Sequence, residues 1–304
     1  MAPKALVLRA AGTNCDGESV FALEQAGFAA QRVHVFRLME NPDALKEYQF
    51  LVIPGGFSYG DDIASGKILA NQMLHRLADP LNQFVADGKL VLGICNGFQI
   101  MIKSGLLPWA QVNPATAHTD ATLAWNECGR FEDRWVHLRA DSDKCVFLPK
   151  GEVVALPIAH GEGRFVPRDQ SVLDTLRNQD QVALRYCDAR GMGVPPMSSG
   201  GTGVPPVSSS DDSDREHAEK TPFGSEPQAR RHGQDAHATA PFPINPNGST
   251  DDIAGLCDPT GRVMGLMPHP ERFVDITQHP QWTRGQVKRA DGKLFFQRAF
   301  EYLK

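Results

Sequence analysis

The chain has 304 residues, 41% of them hydrophobic, and 31 basic against 36 acidic side chains leave a net charge of −5. That length and apolar content support one large or two ordinary globular domains, and the slightly acidic balance speaks against nucleic acid or another polyanion as partner. The N-terminal apolar run is short and broken by Arg9, which argues against a signal peptide or membrane span and makes the cytoplasm the expected compartment.

Strand and helix signals alternate from the N-terminus: strands over residues 5–8, 31–36, 50–53 and 90–92, helices around 19–25, 69–77 and 81–86. This alternation predicts an α/β fold, a three-layer αβα sandwich with a mostly parallel central sheet. Ligands bind at the carboxyl ends of such strands. Three loops occupy those positions: Gly12-Thr-Asn-Cys-Asp16, Pro54-Gly-Gly-Phe-Ser-Tyr-Gly-Asp61 and the turn at Cys95. From about residue 122 to 186, short β segments (134–138, 153–158, 182–186) predict a small antiparallel elaboration of the same domain. The end of the chain places Leu294, Phe295, Ala299, Phe300 and Leu303 at helical spacing, a helix docked on the sheet.

Residues 189–243 differ in character. They contain 8 Pro, 7 Gly and 7 Ser but no Leu or Ile, too little apolar surface for a packed core, and read as a disordered low-complexity insertion. Gly191–Gly200 is echoed ten residues on by Gly201–Ser210. The reverse complement of plausible codons for Gly191–Met197 also translates to within one residue of His232–Ala238, so the segment reads as an inverted DNA repeat translated in frame. Its His217, His232 and His237 have no scaffold that would make them metal ligands.

Six cysteines without a CxxC pair indicate neither a zinc site nor a disulfide framework. One stands apart. Leu90-Val-Leu-Gly-Ile-Cys-Asn-Gly-Phe-Gln99 is an apolar strand that ends in a Gly-x-Cys-x-Gly turn and opens a helix. That pattern fits a nucleophile elbow, in which Gly93 and Gly97 relieve crowding and the helix start favours negative charge on sulfur. A buried core thiol fits the same run.

A thiolate nucleophile needs a base, and the base an orienting acid. Val263-Met-Gly-Leu-Met-Pro-His-Pro-Glu271 offers His269 and Glu271 two residues apart on one side of an extended segment, fixed by flanking prolines; an ordinary loop accounts for it equally well. Attack on an amide also needs oxyanion donors, for which the N–H of Asn96 and the Gly55-Gly56 turn are the candidates. Gly60-Asp-Asp-Ile-Ala-Ser-Gly-Lys-Ile68 is not a phosphate loop, having five residues between its glycines and Ile where Ser or Thr belongs. Asn247-Gly-Ser249 reads as a turn rather than a glycosylation site.

Taken together, GTNCD (12–16), PGGFSYGD (54–61), GICNGFQ (93–99), AHGEGRF (159–165), NGSTDDIAG (247–255) and GLMPHPERF (265–273) resemble the glutamine amidotransferase subunit of phosphoribosylformylglycinamidine synthase, the PurQ type, of purine biosynthesis. The resemblance runs nearly end to end and implies a single flavodoxin-like class I glutaminase domain over 1–304, interrupted by 189–243 where the family runs directly. It implies that Cys95 is the nucleophile, His269 the base and Glu271 its orienter. By the same resemblance Gly56 and Asn96 supply the oxyanion hole, and Gln99 and His160 help line the glutamine pocket. No metal or cofactor is expected in this chain. The implied partners are glutamine, a larger PurL-type synthetase subunit that uses ATP and Mg to convert formylglycinamide ribonucleotide, and a small PurS-type subunit, with no nucleic acid and no membrane. Two other readings compete: a different cysteine hydrolase or DJ-1-like protein, which would lack the PHPE strand, and a non-enzymatic interaction subunit, which would tolerate loss of Cys95 or His269.

Overall fold

The structure, a computed structural model, describes residues 2–115, 120–191, 240 and 242–304. Most of the expected insertion, together with His217, His232 and His237, lies outside the described residues.

Eleven strands are described: β1 (Lys4–Arg9), β2 (Ala29–His34), β3 (Phe50–Ile53), β4 (Leu90–Ile94), β5 (Ala121–Trp125), β6 (Glu132–Ala140), β7 (Val153–His160), β8 (Glu162–Pro167), β9 (Val182–Cys187), β10 (Ile253–Cys257) and β11 (Val263–Leu266). Nine form one sheet in the order β2-β1-β3-β4-β11-β10-β9-β6-β7. The first five run parallel; the other four continue the sheet antiparallel. β5 and β8 form a separate antiparallel ribbon. The antiparallel elaboration expected from the sequence is thus largely an extension of the main sheet.

Every residue of β3 and β4 is buried, as central parallel strands covered on both faces must be. The helices are α1 (Asp16–Ala26), α2 (Val35–Glu40), α3 (Lys67–Arg76), α4 (Ala78–Ala86), α5 (Asn96–Ser104), α6 (Leu106–Trp109), α7 (Gln170–Asn178) and α8 (Lys293–Tyr302). The C-terminal α8 packs on α1, where Phe300 meets Phe28 edge-on. None of the described helices is long and apolar enough to cross a membrane.

One strand expectation needs correction. The run over 31–36 is not all strand, because α2 begins at Val35. The His34 side chain caps it, Nδ1 accepting from the Phe36 N–H at 3.3 Å. Val and Phe favour strands locally, but a capped helix start overrides that preference.

Chain connectivity matters most at the carboxyl ends of β1, β3, β4 and β11, which are adjacent in the sheet. Their following loops carry Cys15, Gly55-Gly56, Cys95 and His269.

Candidate active site

Cys95 has φ 52° and ψ −107°, a conformation L-residues rarely adopt, which the surrounding packing must hold. β4 leads into it and α5 leaves it, so the strand-to-helix elbow is present. The tightness is real at Gly97, where a Cβ would fall 1.8 Å from the carbonyl oxygen of Ile53. Only glycine lets α5 approach β3 so closely. The Cys95 thiol is buried, its Sγ 3.8 Å from the Ala159 carbonyl oxygen.

His269 follows β11, and its backbone N–H donates to the Pro157 carbonyl oxygen at 2.8 Å. Its Nδ1 lies 2.7 Å from Oε1 of Glu271; both residues are buried. Burial works against charge on the imidazole, but Glu271, Cys95 and Cys15 outweigh it and hold the His269 pKa well above the ordinary histidine value. His269 Nε2 makes no conventional hydrogen bond, which leaves it available to the sulfur side.

Two backbone N–H groups frame this centre. Asn96 is the first residue of α5, so its N–H has no acceptor within the helix. Gly56 has φ 136° and pairs with Thr13 in an isolated antiparallel bridge, whose hydrogen bonding uses the flanking Phe57 N–H to the Gly12 carbonyl oxygen. The Gly56 N–H is therefore not consumed by the bridge.

His160, at the end of β7, is buried, with Nδ1 3.1 Å from Asn126 Oδ1 and Nε2 unpartnered. Burial, and next the nearby His269, pull its pKa down to about 3, so the ring is neutral. Gln99 sits on α5 with both ends of its amide engaged: Oε1 accepts from Asn96 Nδ2 at 2.9 Å, and Nε2 donates to the Glu162 carbonyl oxygen at 2.5 Å.

The family model described as CobB/CobQ-like glutamine amidotransferase domain matches residues 2–199 and 216–303. The phosphoribosylformylglycinamidine synthase subunit PurQ of Dehalococcoides mccartyi is 35% identical over 301 residues, covering 98% of this chain and 97% of that protein. The subunit of the same name from Treponema denticola is 39% identical over 291 residues, 91% of each chain. The chain belongs to the PurQ family. A structure of PurLQS from Thermotoga maritima superposes over the full length of both chains, with a TM-score of 0.63 and 30% identity.

In this PurQ chain the sheet brings Cys95, His269, Glu271, Gly56 and Asn96 to one place, with His160 and Gln99 beside them. Sequence reasoning missed two further neighbours. Cys15 is buried, and its Sγ and His269 Cε1 lie 3.2 and 2.8 Å from the point a Gly55 Cβ would occupy. Arg272 Nη2 donates to the same sulfur at 3.1 Å. The signal was available in GTNCD and PHPER, but nothing local says that those two loops meet. Cys15, His269 and Glu271 also bring one donor atom each within 4.8 Å of one another. A cation there would have to displace the Glu271 hydrogen bond and sit beside the Arg272 guanidinium. Asn247 is buried and donates from Nδ2 to the Gly163 carbonyl oxygen at 2.8 Å, a turn that supports the segment after His160.

Proposed function

We propose that the chain is the glutaminase subunit of phosphoribosylformylglycinamidine synthase, hydrolysing glutamine at Cys95 and passing ammonia to an ATP-dependent PurL-type subunit. The observation that carries this reading is the convergence of an elbow cysteine, a buried His269–Glu271 pair and two unspent backbone donors.

Cys95 Sγ attacks the side-chain carbonyl carbon of glutamine. Negative charge builds on the carbonyl oxygen, which the N–H groups of Gly56 and Asn96 receive. His269, charged by virtue of Glu271, gives its proton to the leaving nitrogen, and ammonia departs from a glutamyl thioester. Water then adds to the thioester while His269 takes its proton, and the tetrahedral intermediate collapses to glutamate and the free sulfur. Neutral His160 and the region of Gln99 line the space for the substrate.

Ammonia released into neutral water becomes ammonium, which is no nucleophile. It must pass directly to an acceptor, and the sequence carries no phosphate loop for ATP. ATP and Mg therefore belong to the synthetase partner, assembled with a PurS-type subunit as in the Thermotoga maritima complex. The test is glutamate release by wild type and Cys95→Ala, each with and without PurL- and PurS-type partners. Loss of activity in the variant under both conditions is expected; activity persisting in Cys95→Ala would sink the mechanism.

A further inference from the structure

The loop after Gly55-Gly56 is held on one side by backbone bonds to the loop after β1, Phe57 N–H to the Gly12 carbonyl oxygen at 3.0 Å and Tyr59 N–H to that of Ala11 at 2.7 Å, and on the other side is bound to the elbow by a side chain. Asn96 is buried, and all of its side-chain hydrogen bonds are internal. Oδ1 accepts from the Ser58 backbone N–H at 3.2 Å, while Nδ2 donates to Asp61 Oδ1 at 3.1 Å and to Gln99 Oε1 at 2.9 Å. Asp61 in turn gathers its own loop: Oδ1 accepts from the Gly66 N–H at 3.3 Å and Oδ2 from Ser65 Oγ at 3.0 Å. Lys103, one helical turn beyond Gln99, donates to the Ser65 carbonyl oxygen at 2.5 Å and stands 3.6 Å from Glu162 Oε2.

Such fastening has a purpose in this loop. Tyr59, Asp61 and Ile63 all have left-handed φ values, 56°, 54° and 75°, which non-glycine residues keep only when their surroundings over-determine them. The stretch from Tyr59 to Ile63 is therefore held by its surroundings, and it follows directly on Gly56, which carries one of the two oxyanion donors and is itself bridged to Thr13. The other donor is the backbone N–H of Asn96. One residue thus supplies one donor with its main chain and holds the loop bearing the other with its side chain.

We infer that the Asn96 side chain and the Asp61 carboxylate are positioning residues that set the separation between the Gly56 and Asn96 N–H groups. The inference rests on the glutaminase reading above. An oxyanion exists only in the transition state and the tetrahedral intermediate, so a donor displaced by half an ångström weakens those states and leaves bound glutamine almost untouched. The signature is a fall in kcat with little change in KM.

The experiment is steady-state glutaminase kinetics of Asn96→Ala, Asp61→Asn and the double variant, each assembled with its synthetase partners. Rates of Cys95 alkylation by iodoacetamide and thermal midpoints are measured alongside. Asn96→Ala keeps its backbone donor, and kcat is expected to fall about 100-fold with KM within about threefold. Asp61→Asn should fall about tenfold, and the double variant no further than Asn96→Ala alone, because the two act through one linkage. Alkylation, which builds no oxyanion, should stay within about threefold of wild type. If Asn96→Ala keeps kcat within about threefold, or if KM rises as much as kcat falls, the positioning role is wrong. If Asn96→Ala unfolds, Asp61→Asn alone decides by the same criteria. Activity surviving in Cys95→Ala would instead overturn the glutaminase reading, so the two failures are distinguishable.

Discussion

Arg272 Nη2 donates to Cys15 Sγ at 3.1 Å, joining the residue after Glu271 to the loop after β1, 257 positions earlier in the chain. The contact places a second sulfur beside His269. Burial raises the Cys15 pKa, against the pull of His269, so Cys15 remains a thiol.

That arrangement sets a pH dependence. The His269 pKa is raised well above the ordinary value because Glu271, Cys95 and Cys15 outweigh its burial. Protonated His269 is the form that donates to the leaving nitrogen, so removing a group that supports its charge must move the alkaline limb of kcat/KM to lower pH. Glu271→Gln should move it most and lower the maximum, since it removes a full charge from a 2.7 Å contact. Cys15→Ala should move it in the same direction by less, with kcat/KM at neutral pH reduced less than about tenfold. A Cys15→Ala profile superimposable on wild type would show that the second sulfur has no influence on the histidine.

How much of this was legible in the sequence depends on distance along the chain. The elbow was suggested because Gly93, Cys95 and Gly97 are local, and the His269–Glu271 pair because the two residues are two apart between flanking prolines, although a core thiol and an ordinary loop fit the same runs until the family-like loops around them are taken together. The parallel half of the sheet followed from alternating apolar runs. The roles of Cys15, Arg272, Asp61 and the Asn96 side chain were not readable. Each depends on loops that meet only because β1, β3, β4 and β11 are neighbours in the sheet, an order set by tertiary packing. Gly55 shows the same limit: a glycine turn after β3 was expected, but its necessity comes from a histidine 214 residues away, whose Cε1 would lie 2.8 Å from an added Cβ.

His160 predicts how stability responds to acid. Its folded-state pKa is pulled down to about 3, against 6.5 for an ordinary histidine, by burial and then by His269. Between those values the unfolded chain binds a proton that the folded chain refuses. This contribution is therefore complete above pH 6.5 and is lost as the pH falls toward 3. The slope is about 1.4 kcal/mol per pH unit, so roughly 2–3 kcal/mol disappears between pH 6.5 and 4.5. His269 has the opposite sign: its raised pKa gives stability that is present in acid and declines only as the pH rises, so it does not mask the effect. Urea midpoints at pH 6.5, 5.5 and 4.5 should fall less steeply in His160→Gln than in wild type. Parallel curves for the two proteins would refute the assignment.

The region over 192–239 can be tested by removal. Both of its borders are held by described residues. Arg139 Nη1 donates to the Gly191 carbonyl oxygen at 2.9 Å, and the Ala240 N–H donates to Asp252 Oδ1 at 2.7 Å. Arg139 lies opposite Arg185 in the pairing of β6 with β9, and Arg185 lies opposite Ile253 in that of β9 with β10. The two borders are thus anchored at β6 and immediately before β10, with only β9 between those strands in the sheet, and the cost of closing a loop between them grows only with the logarithm of its length. Replacing 192–239 with a flexible Gly-Ser linker of about eight residues should leave kcat/KM of the assembled enzyme within about threefold of wild type and the thermal midpoint unchanged or slightly raised. The deletion keeps Gly191, Ala240 and Phe242, whose ring stacks 4.5 Å from the Arg134 guanidinium, so these contacts survive in the variant. Loss of glutaminase activity in a folded deletion protein would show that the segment takes part in the site or in assembly.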